Sequence, residues 1–182
     1  MILAISGSLR RDSLNSAALR AAAHAAARTG LAVDLDDSPR RLPHFNPDLE
    51  SRPPAAVQRF RTISEHAEAI LLAVPEYAFG IPGTLKNALD WTVGSGAIYR
   101  KPVAVLSVAG RGRGEHVCGA LELVFAALDC DVSWHHVPIH PSLLDQGEIR
   151  DEPMIRELVR VVEVLAARTP PGSDGAHPVL SA

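Results

Sequence analysis

Apolar residues occur along this chain in short uninterrupted runs that alternate with longer stretches of helical periodicity. A strand covered on both faces of a sheet gives such a run, whereas a half-exposed strand alternates apolar and polar residues. Five strand–helix units in succession favour an α/β fold with a doubly wound, five-stranded parallel sheet. The pattern predicts strands at 2–5, 32–35, 69–74, 103–108 and 132–139, and helices at 14–29, 54–67, 82–95, 115–130 and 151–168.

The domain organisation follows from length and composition. A chain of 182 residues with 47% apolar and 21% charged residues is typical of one globular domain. The segment 36–54 is rich in proline and charge, and we expect a long loop that wraps the sheet edge. Residues 169–182 show no periodicity, so we predict a domain over 1–168 followed by a flexible C-terminal tail.

Charge, hydropathy and cysteine content argue against general nucleic-acid binding, a membrane span and a disulfide. The formal net charge of -3 gives no broad attraction to nucleic acid, and no apolar stretch approaches the length that spans a bilayer. Cys118 and Cys130 both fall within one predicted helix, about 18 Å apart by the helical rise, which is too far for a disulfide. The first strand begins without a basic leader, and we therefore expect a cytoplasmic protein.

The loop after the first strand and the start of the next helix are crowded with polar side chains. Backbone N–H groups at a helix N-terminus attract anions, and hydroxyl and guanidinium groups add hydrogen bonds. A helix cap alone would need only one such residue. The stretch AISGSLRRDSLNSAAL (4–19) therefore favours a phosphate site, whose candidate polar residues are Ser6, Ser8, Arg10, Arg11, Ser13, Asn15 and Ser16.

The glycine content of this loop narrows the type of phosphate. The dinucleotide-binding pattern G-x-G-x-x-G and the P-loop pattern G-x-x-x-x-G-K-[ST] are both absent, because the loop contains Gly7 alone. A mononucleotide phosphate held by side chains is therefore favoured. In a sheet of strand order 2-1-3-4-5, the loops after strands 1 and 3 share one crevice. The loop after strand 3, PEYAFG (75–80), is then the place for a flat, partly polar ring. The alternative is a rigid turn with a solvated Glu76.

Two long motifs carry a resemblance to a known family. GSLRRDSLN (7–15) and PEYAFGIPGTLKNALDW (75–91) resemble the NAD(P)H-dependent FMN reductase family, whose pattern is G-S-x-R-x-x-S-x-N and then P-E-Y-N-x-x-x-P-G-x-L-K-N-A-x-D-W. Order and spacing match, and the similarity runs from residue 2 to about 168. The resemblance implies a flavodoxin-like fold, bound FMN, hydride transfer from NADPH or NADH, and a homodimer or homotetramer.

The resemblance also implies which residues contact the cofactor. This chain has Ala78 where the family has Asn, so a contact through that side chain is lost, whereas one through the backbone survives. For the FMN phosphate it implies Ser8, Arg10, Ser13, Leu14 and Asn15, and for the ring and ribityl side Pro75, Glu76, Tyr77, Ala78 and Phe79. In the loop after the fourth strand, the candidate ring-edge contacts are Ser107 and Gly110. The candidate ligands of a nicotinamide phosphate are Arg111 and Arg113, with a solvated flexible loop as the alternative.

Two classes of function fit these motifs. The first is an oxidoreductase in which NAD(P)H reduces bound FMN, and a small acceptor (a flavin, quinone, azo compound or metal oxyanion) is reduced in a ping-pong sequence. The second is a flavodoxin-type electron carrier or a flavin-bound interaction module. Carriers commonly cover both ring faces with aromatic residues and dock through an acidic surface. This chain has few aromatic residues (two Trp, two Tyr and four Phe) and a net charge of only -3. Both features favour the reductase. Because the flavin performs the hydride transfer, we predict no catalytic side chain.

Three histidines in WHHVPIH (134–140) raise the question of a metal. His135 and His136 point to opposite faces if this segment is a strand, and Pro138 separates them from His140. No carboxylate or cysteine completes a clear ligand set in this segment. We therefore predict no metal site.

Overall fold

A computed structural model describes residues 1–110 and 114–169, and the predictions for Arg111, Arg113 and residues 170–182 lie outside this part. The strands are β1 (Ile2–Ser6), β2 (Val33–Asp36), β3 (Ala69–Ala73), β4 (Pro102–Ser107), β5 (Asp131–His136), β6 (Leu144–Asp145) and β7 (Glu148–Ile149). The helices are α1 (Leu14–Ala27), α2 (Ala55–His66), α3 (Gly83–Val93), α4 (Glu115–Ala127) and α5 (Glu152–Ala166).

Strands β1 to β5 form one parallel sheet in the order β2-β1-β3-β4-β5. The predicted doubly wound, flavodoxin-like topology is confirmed. Ile5 of β1 lies opposite Asp36 of β2 and opposite Leu72 of β3, so β1 ends between its two neighbours. Parallel strands place their carboxyl ends at one edge of the sheet, and the loops after β1, β3 and β4 therefore meet there.

Alternate residues of the sheet face two separate hydrophobic layers. Ile2 and Ala4 pack with α1 and α5, whereas Leu3 and Ile5 pack with α2, α3 and α4. Every residue of β3 and β4 is buried, which explains their uninterrupted apolar runs. Among the described helices, none has both the length and the apolar composition needed to cross a bilayer. Since helices cover both faces, the loops at the strand ends are the natural place for a ligand.

Some predicted boundaries differ from those of the structure. Helix α4 ends at Ala127, so Cys130 lies beyond it, and the prediction that both cysteines share one helix is wrong. The chain leaves the helix because Asp129 adopts a left-handed conformation with φ 49°. Cys118 and Cys130 are both free thiols. Strand β5 ends at His136 rather than at residue 139.

The antiparallel hairpin β6–β7 is an element that the sequence pattern does not predict. Each strand has two residues, which is too short to give a period-two signal. Gln146 and Gly147 make the turn with φ values of 50° and 82°. Arg20 of α1 holds the hairpin, because its guanidinium donates to the Gly147 carbonyl and to the Glu148 carboxylate, each at 2.8 Å.

The segment 36–54 packs on helix α3. The Pro43 carbonyl accepts hydrogen bonds from Asn87 at 3.0 Å and from the Trp91 indole at 2.9 Å, and the Phe45 ring meets the Trp91 ring edge-on at 5.0 Å. The segment also contains two short 3-10 helices, Ser38–Arg41 and Pro47–Leu49. The segment 36–54, expected as a loop around the sheet edge, therefore crosses to α3. Side chains of that helix form hydrogen bonds with the backbone of the segment.

Candidate functional site

A cavity of about 580 Å³ lies at the carboxyl ends of β1, β3 and β4. It brings together ten of the twelve residues that the sequence assigns to FMN, from one segment that ends at Asn15 and another that begins at Pro75. The ten are Ser8, Arg10, Ser13, Leu14, Asn15, Pro75, Glu76, Tyr77, Ala78 and Phe79. Four further lining residues are not predicted from the sequence, namely Val74, Val108, Ala109 and His116.

The first loop leaves hydrogen-bonding groups available at the start of α1. Ser13 occupies the N-cap position, but its hydroxyl makes no capping bond. The first bond of the helix runs from the Ala17 N–H to the Ser13 carbonyl at 2.9 Å, so the preceding N–H groups have no acceptor within the helix. Asn15 is 7% exposed, and its amide oxygen has no partner among the described residues. The N–H groups and the Ser13 hydroxyl are donors that fit a phosphate, whereas the Asn15 amide oxygen is an acceptor and would need a donor from the ligand.

The loop after β3 forms a tight turn. The N–H and carbonyl groups of Tyr77 and Gly80 bond to each other at 3.2 and 3.0 Å, and Ala78 and Phe79 between them have φ values of 49° and 58°. Two positive φ values at the centre define a type I′ turn. The Tyr77 hydroxyl lies 3.3 Å from the Ser8 hydroxyl and so joins this turn to the first loop.

Glu76 is turned away from solvent toward helix α4. Its side chain is 15% exposed, and its carboxylate accepts a hydrogen bond from the Val117 N–H at 3.1 Å. The His116 ring lies 3.5 Å from the same carboxylate and 4.8 Å from the Phe79 ring, centroid to centroid. Glu76 is therefore not the solvated residue of a simple turn, because it caps the N-terminus of α4.

Ser107 and Gly110 lie outside the lining of this cavity. Ser107 instead lines a neighbouring cavity between β5 and α4, together with Cys118 and His135. Its hydroxyl is buried without a partner among the described residues. Val108 and Ala109 present the loop after β4 to the main cavity in its place. The sequence does not show that Ser107 faces the neighbouring cavity, because this depends on the direction in which the chain leaves β4.

Two titratable groups beside Ser107, Cys118 and His135, have pKa values shifted toward the neutral form. Burial raises the pKa of the Cys118 thiol, and carboxylates nearby raise it further. Burial lowers the pKa of His135, and the Arg168 charge acts in the same direction. Within residues 1–110 and 114–169, no three His, Cys, Asp or Glu side chains are grouped as metal ligands would be.

The fold and the cavity define a doubly wound, flavodoxin-like protein with a polar cleft at the switch point between β1 and β3. Residues 1–140 match the family model described as NADPH-dependent FMN reductase, and the chain belongs to this family. The resemblance predicted from the two motifs is confirmed.

Individual relatives agree with this membership. The chain is 41% identical to the NAD(P)H-dependent FMN reductase of Pseudomonas aeruginosa, a match that covers 60% of each protein and so spans less than two thirds of that relative. It is 36% identical to a quinone reductase of Pseudomonas putida, over 71% of this chain and 72% of the relative. The structure of FerB, a flavoenzyme NAD(P)H:(acceptor) oxidoreductase from Paracoccus denitrificans, superposes with a TM-score of 0.77 at 28% identity, covering 91% of this chain and 94% of that one.

Proposed function

We propose that this protein is an FMN-dependent oxidoreductase that reduces a small acceptor with electrons from NADPH or NADH. The cleft carries the proposal, since it combines a helix N-terminus, buried hydroxyl groups and an aromatic loop at the switch point of the sheet. When bound, FMN supplies two-electron chemistry, accepting hydride from the nicotinamide and delivering two electrons to the acceptor. Flavins, quinones, azo compounds and metal oxyanions are the candidate acceptors. A homodimer or homotetramer in the cytoplasm is also expected.

The first loop would hold the phosphate. Ser8 and Ser13 are each 4% exposed, which places their hydroxyls in the wall of the cleft rather than in bulk water. The N–H groups of the first turn of α1 have no helical acceptors, and an anion there interacts favourably with the helix dipole. Arg10 adds a guanidinium group, which forms charge-assisted bonds with phosphate oxygens.

The turn after β3 would orient the ring. The Tyr77 N–H closes the turn onto Gly80, which leaves the N–H groups of Ala78 and Phe79 as the backbone donors of the turn centre. Since these are main-chain groups, alanine at position 78 leaves them in place. The contribution of the protein is then to orient the reactants and to exclude water, rather than to supply a side-chain acid or base.

An open cleft favours a ping-pong sequence. Phe79 is 75% exposed and Tyr77 is 48% exposed, so the aromatic side of the cleft is accessible to a second flat molecule. The nicotinamide and the acceptor would occupy the same space in turn, with NAD(P)⁺ leaving before the acceptor binds.

The test begins with FMN titration of the purified protein, followed by anaerobic addition of NADPH or NADH while the flavin absorbance is recorded. Arg10→Ala should weaken FMN binding about ten- to hundredfold, because one charge-assisted hydrogen bond to phosphate is worth about 1.5–3 kcal/mol. The matched control is Arg59→Ala, since Arg59 lies exposed on α2 and outside the cleft.

Three results would contradict the proposal. One is a folded protein that binds no FMN, the second is an FMN-loaded protein that neither nicotinamide bleaches, and the third is equal FMN affinity in parent, Arg10→Ala and Arg59→Ala. Parallel initial-rate lines with varied acceptor are expected for the ping-pong sequence, and intersecting lines would exclude it.

A further inference from the structure

Among the described residues, His116 is the one side chain of helix α4 that lines the FMN cleft. It belongs neither to the phosphate loop nor to the turn after β3, and the proposed function gives it no role. Its side chain is 61% exposed, so the imidazole is in contact with both the cleft and water. A titratable group in this position can exchange protons with solvent and with a molecule bound in the cleft.

Two contacts fix the orientation of the His116 ring. Its Nδ1 atom lies 3.5 Å from Oε1 of Glu76, whose Oε2 accepts the hydrogen bond from the Val117 N–H at 3.1 Å. Its ring meets the Phe79 ring at 4.8 Å between centroids, with the two planes inclined at 63°. Because Glu76 is anchored by the helix cap, it holds the Nδ1 side of the imidazole, and Nε2 is left as the nitrogen for a molecule in the cleft.

The proposed reaction leaves one proton unassigned. Quinones, azo compounds and flavins each take up two electrons and two protons, whereas a hydride carries both electrons with a single proton. Negative charge therefore develops on an oxygen or nitrogen of the acceptor, and a positioned acid stabilises it by proton transfer. Histidine is the side chain that most often has this role, and a carboxylate behind its ring orients it.

The other polar groups that line the cleft within the described residues are less suited to donate this proton. Arg10 remains protonated in a protein and cannot release a proton. The Tyr77 hydroxyl lies 3.3 Å from the Ser8 hydroxyl and is engaged there. Glu76 is 15% exposed and committed as an acceptor to the cap of α4. His116 is therefore the best candidate for the donor.

We propose that His116 is the general acid of the acceptor step and that Glu76 is the positioning residue behind it. The Nε2–H bond of the protonated ring breaks as an O–H or N–H bond forms on the acceptor, which completes the uptake of two electrons and two protons. The neutral ring then regains a proton from water. This inference rests on the proposed function, because it assigns a proton of that reaction. Hydride transfer itself needs no side chain, so the expectation of no catalytic side chain is replaced for the acceptor step alone.

The test compares two acceptors in stopped-flow reoxidation of FMN-loaded protein that dithionite has reduced. Benzoquinone takes up protons and ferricyanide does not, so the ratio of the two rates isolates the proton. His116→Gln should lower the quinone-to-ferricyanide ratio about hundredfold, at the lower end of what general acid catalysis contributes. His116→Ala should lower it as well, and added imidazole should restore part of the quinone rate. The matched control is His136→Gln, because His136 is exposed at the end of β5 and does not line the cleft.

A second measurement does not depend on turnover. In nitrogen NMR spectra of the full chain with the ring neutral, the Glu76 carboxylate should hold the proton of His116 on Nδ1. In Glu76→Gln, the amide oxygen can keep the bond from Val117 while the amide NH₂ faces Nδ1, so the proton should move to Nε2. The quinone-to-ferricyanide ratio should fall in this variant too, though by less than in His116→Gln.

A ratio that falls in both His116 variants, recovers with imidazole and stays unchanged in His136→Gln supports the assignment. It is overturned if folded His116→Gln has the ratio of the parent, if both rates fall together, or if imidazole restores nothing. The same tautomer in parent and Glu76→Gln overturns the positioning role of Glu76. None of these results touches the proposed oxidoreductase, which fails if neither nicotinamide bleaches the flavin. Because dithionite bypasses the nicotinamide, the His116 result is obtained in that case as well, and a protein that binds no FMN overturns both.

Discussion

Ala78 and Phe79 hold backbone conformations that residues with a side chain rarely adopt, with φ values of 49° and 58°. A left-handed conformation costs about 1–2 kcal/mol for such a residue, and less for Asn, whose short polar side chain can bond locally. The Asn of the family pattern at position 78 is therefore suited to the turn by its backbone preference. In this chain the same turn is held under strain by the paired Tyr77 and Gly80 groups.

Replacing Ala78 by Asn should relieve part of this strain. We expect Ala78→Asn to raise the free energy of unfolding by about 0.5–1 kcal/mol in urea denaturation, with little change in FMN affinity. Ala78→Val should lower it, because a β-branched residue fits a positive φ poorly. The control Ala32→Asn, at an exposed alanine outside the turn, should change it by less than about 0.5 kcal/mol. A loss of stability in Ala78→Asn would show that the turn is not strained.

His135 should make the free energy of unfolding depend on pH. Burial and the Arg168 charge lower its pKa, whereas Glu157 acts in the opposite direction. In the unfolded chain the pKa of a His is about 6.5, so the unfolded chain binds more protons than the folded chain as pH falls below that value. The free energy of unfolding should therefore decrease from pH 7 to pH 5 more steeply in the parent than in His135→Gln. Equal slopes for the two proteins would remove His135 as a cause.

At the scale of elements, helix α4 obtains its cap from another part of the chain. Gly114 stands at the N-cap with φ 99°, and a Cβ atom there would lie 2.8 Å from the Ser107 hydroxyl oxygen. A capping Ser or Asp is thus excluded at position 114, and Glu76 supplies the acceptor for the Val117 N–H. Helix α5 has a local cap instead, in which the Asp151 carboxylate accepts from the Met154 N–H at 2.9 Å.

The two caps allow a matched comparison. Glu76→Ala and Asp151→Ala should each lower the free energy of unfolding by about 1 kcal/mol, as the loss of an N-cap does. Only Glu76→Ala should also weaken FMN binding, because it releases α4 from the loop at 75–80. Urea denaturation and FMN titration of both variants check this. The same FMN affinity in both would show that the cap does not position the loop.

At the scale of the whole molecule, Lys101 connects a helix to the sheet. It precedes β4 and is 7% exposed, and its ammonium group donates to the carbonyls of Ser64, Glu65 and Ala67 at 2.6–2.7 Å. Burial lowers the pKa of Lys101 to about 8, an effect that the nearby Glu65 partly opposes. These carbonyls belong to the last turn of α2 and its end, where helical partners are lacking.

Removing this ammonium should destabilise the entire domain. We expect Lys101→Met to lower the free energy of unfolding by about 2–4 kcal/mol, because buried carbonyls lose a charged donor. Lys86→Met is the control, since Lys86 pairs with Asp90 on the surface of α3 and such a pair contributes less than about 1 kcal/mol. Thermal or urea unfolding of both variants measures the difference, and equal effects would show that the Lys101 bonds are not stabilising.

The sequence by itself determined the parallel sheet, its five helices and the two loops that carry the motifs. Strands buried on both faces give uninterrupted apolar runs, and the loops GSLRRDSLN and PEYAFG follow such runs directly. Local chemistry also located the start of α1, where hydroxyl and amide side chains cluster. These features depend on residues close together in the chain, and they were therefore visible without the fold.

Only the tertiary structure decided which loop residues face the cleft and what they contact. Glu76 bonds to Val117, forty-one positions away, and Ser107 faces the β5 side whereas Val108 and Ala109 face the cleft. Such contacts depend on the register of β3 against β4 and on where each strand ends, which no local pattern encodes. The groove between the carboxyl ends of β1 and β2 arises in the same way, because β2 and the first loop become neighbours only when the sheet forms.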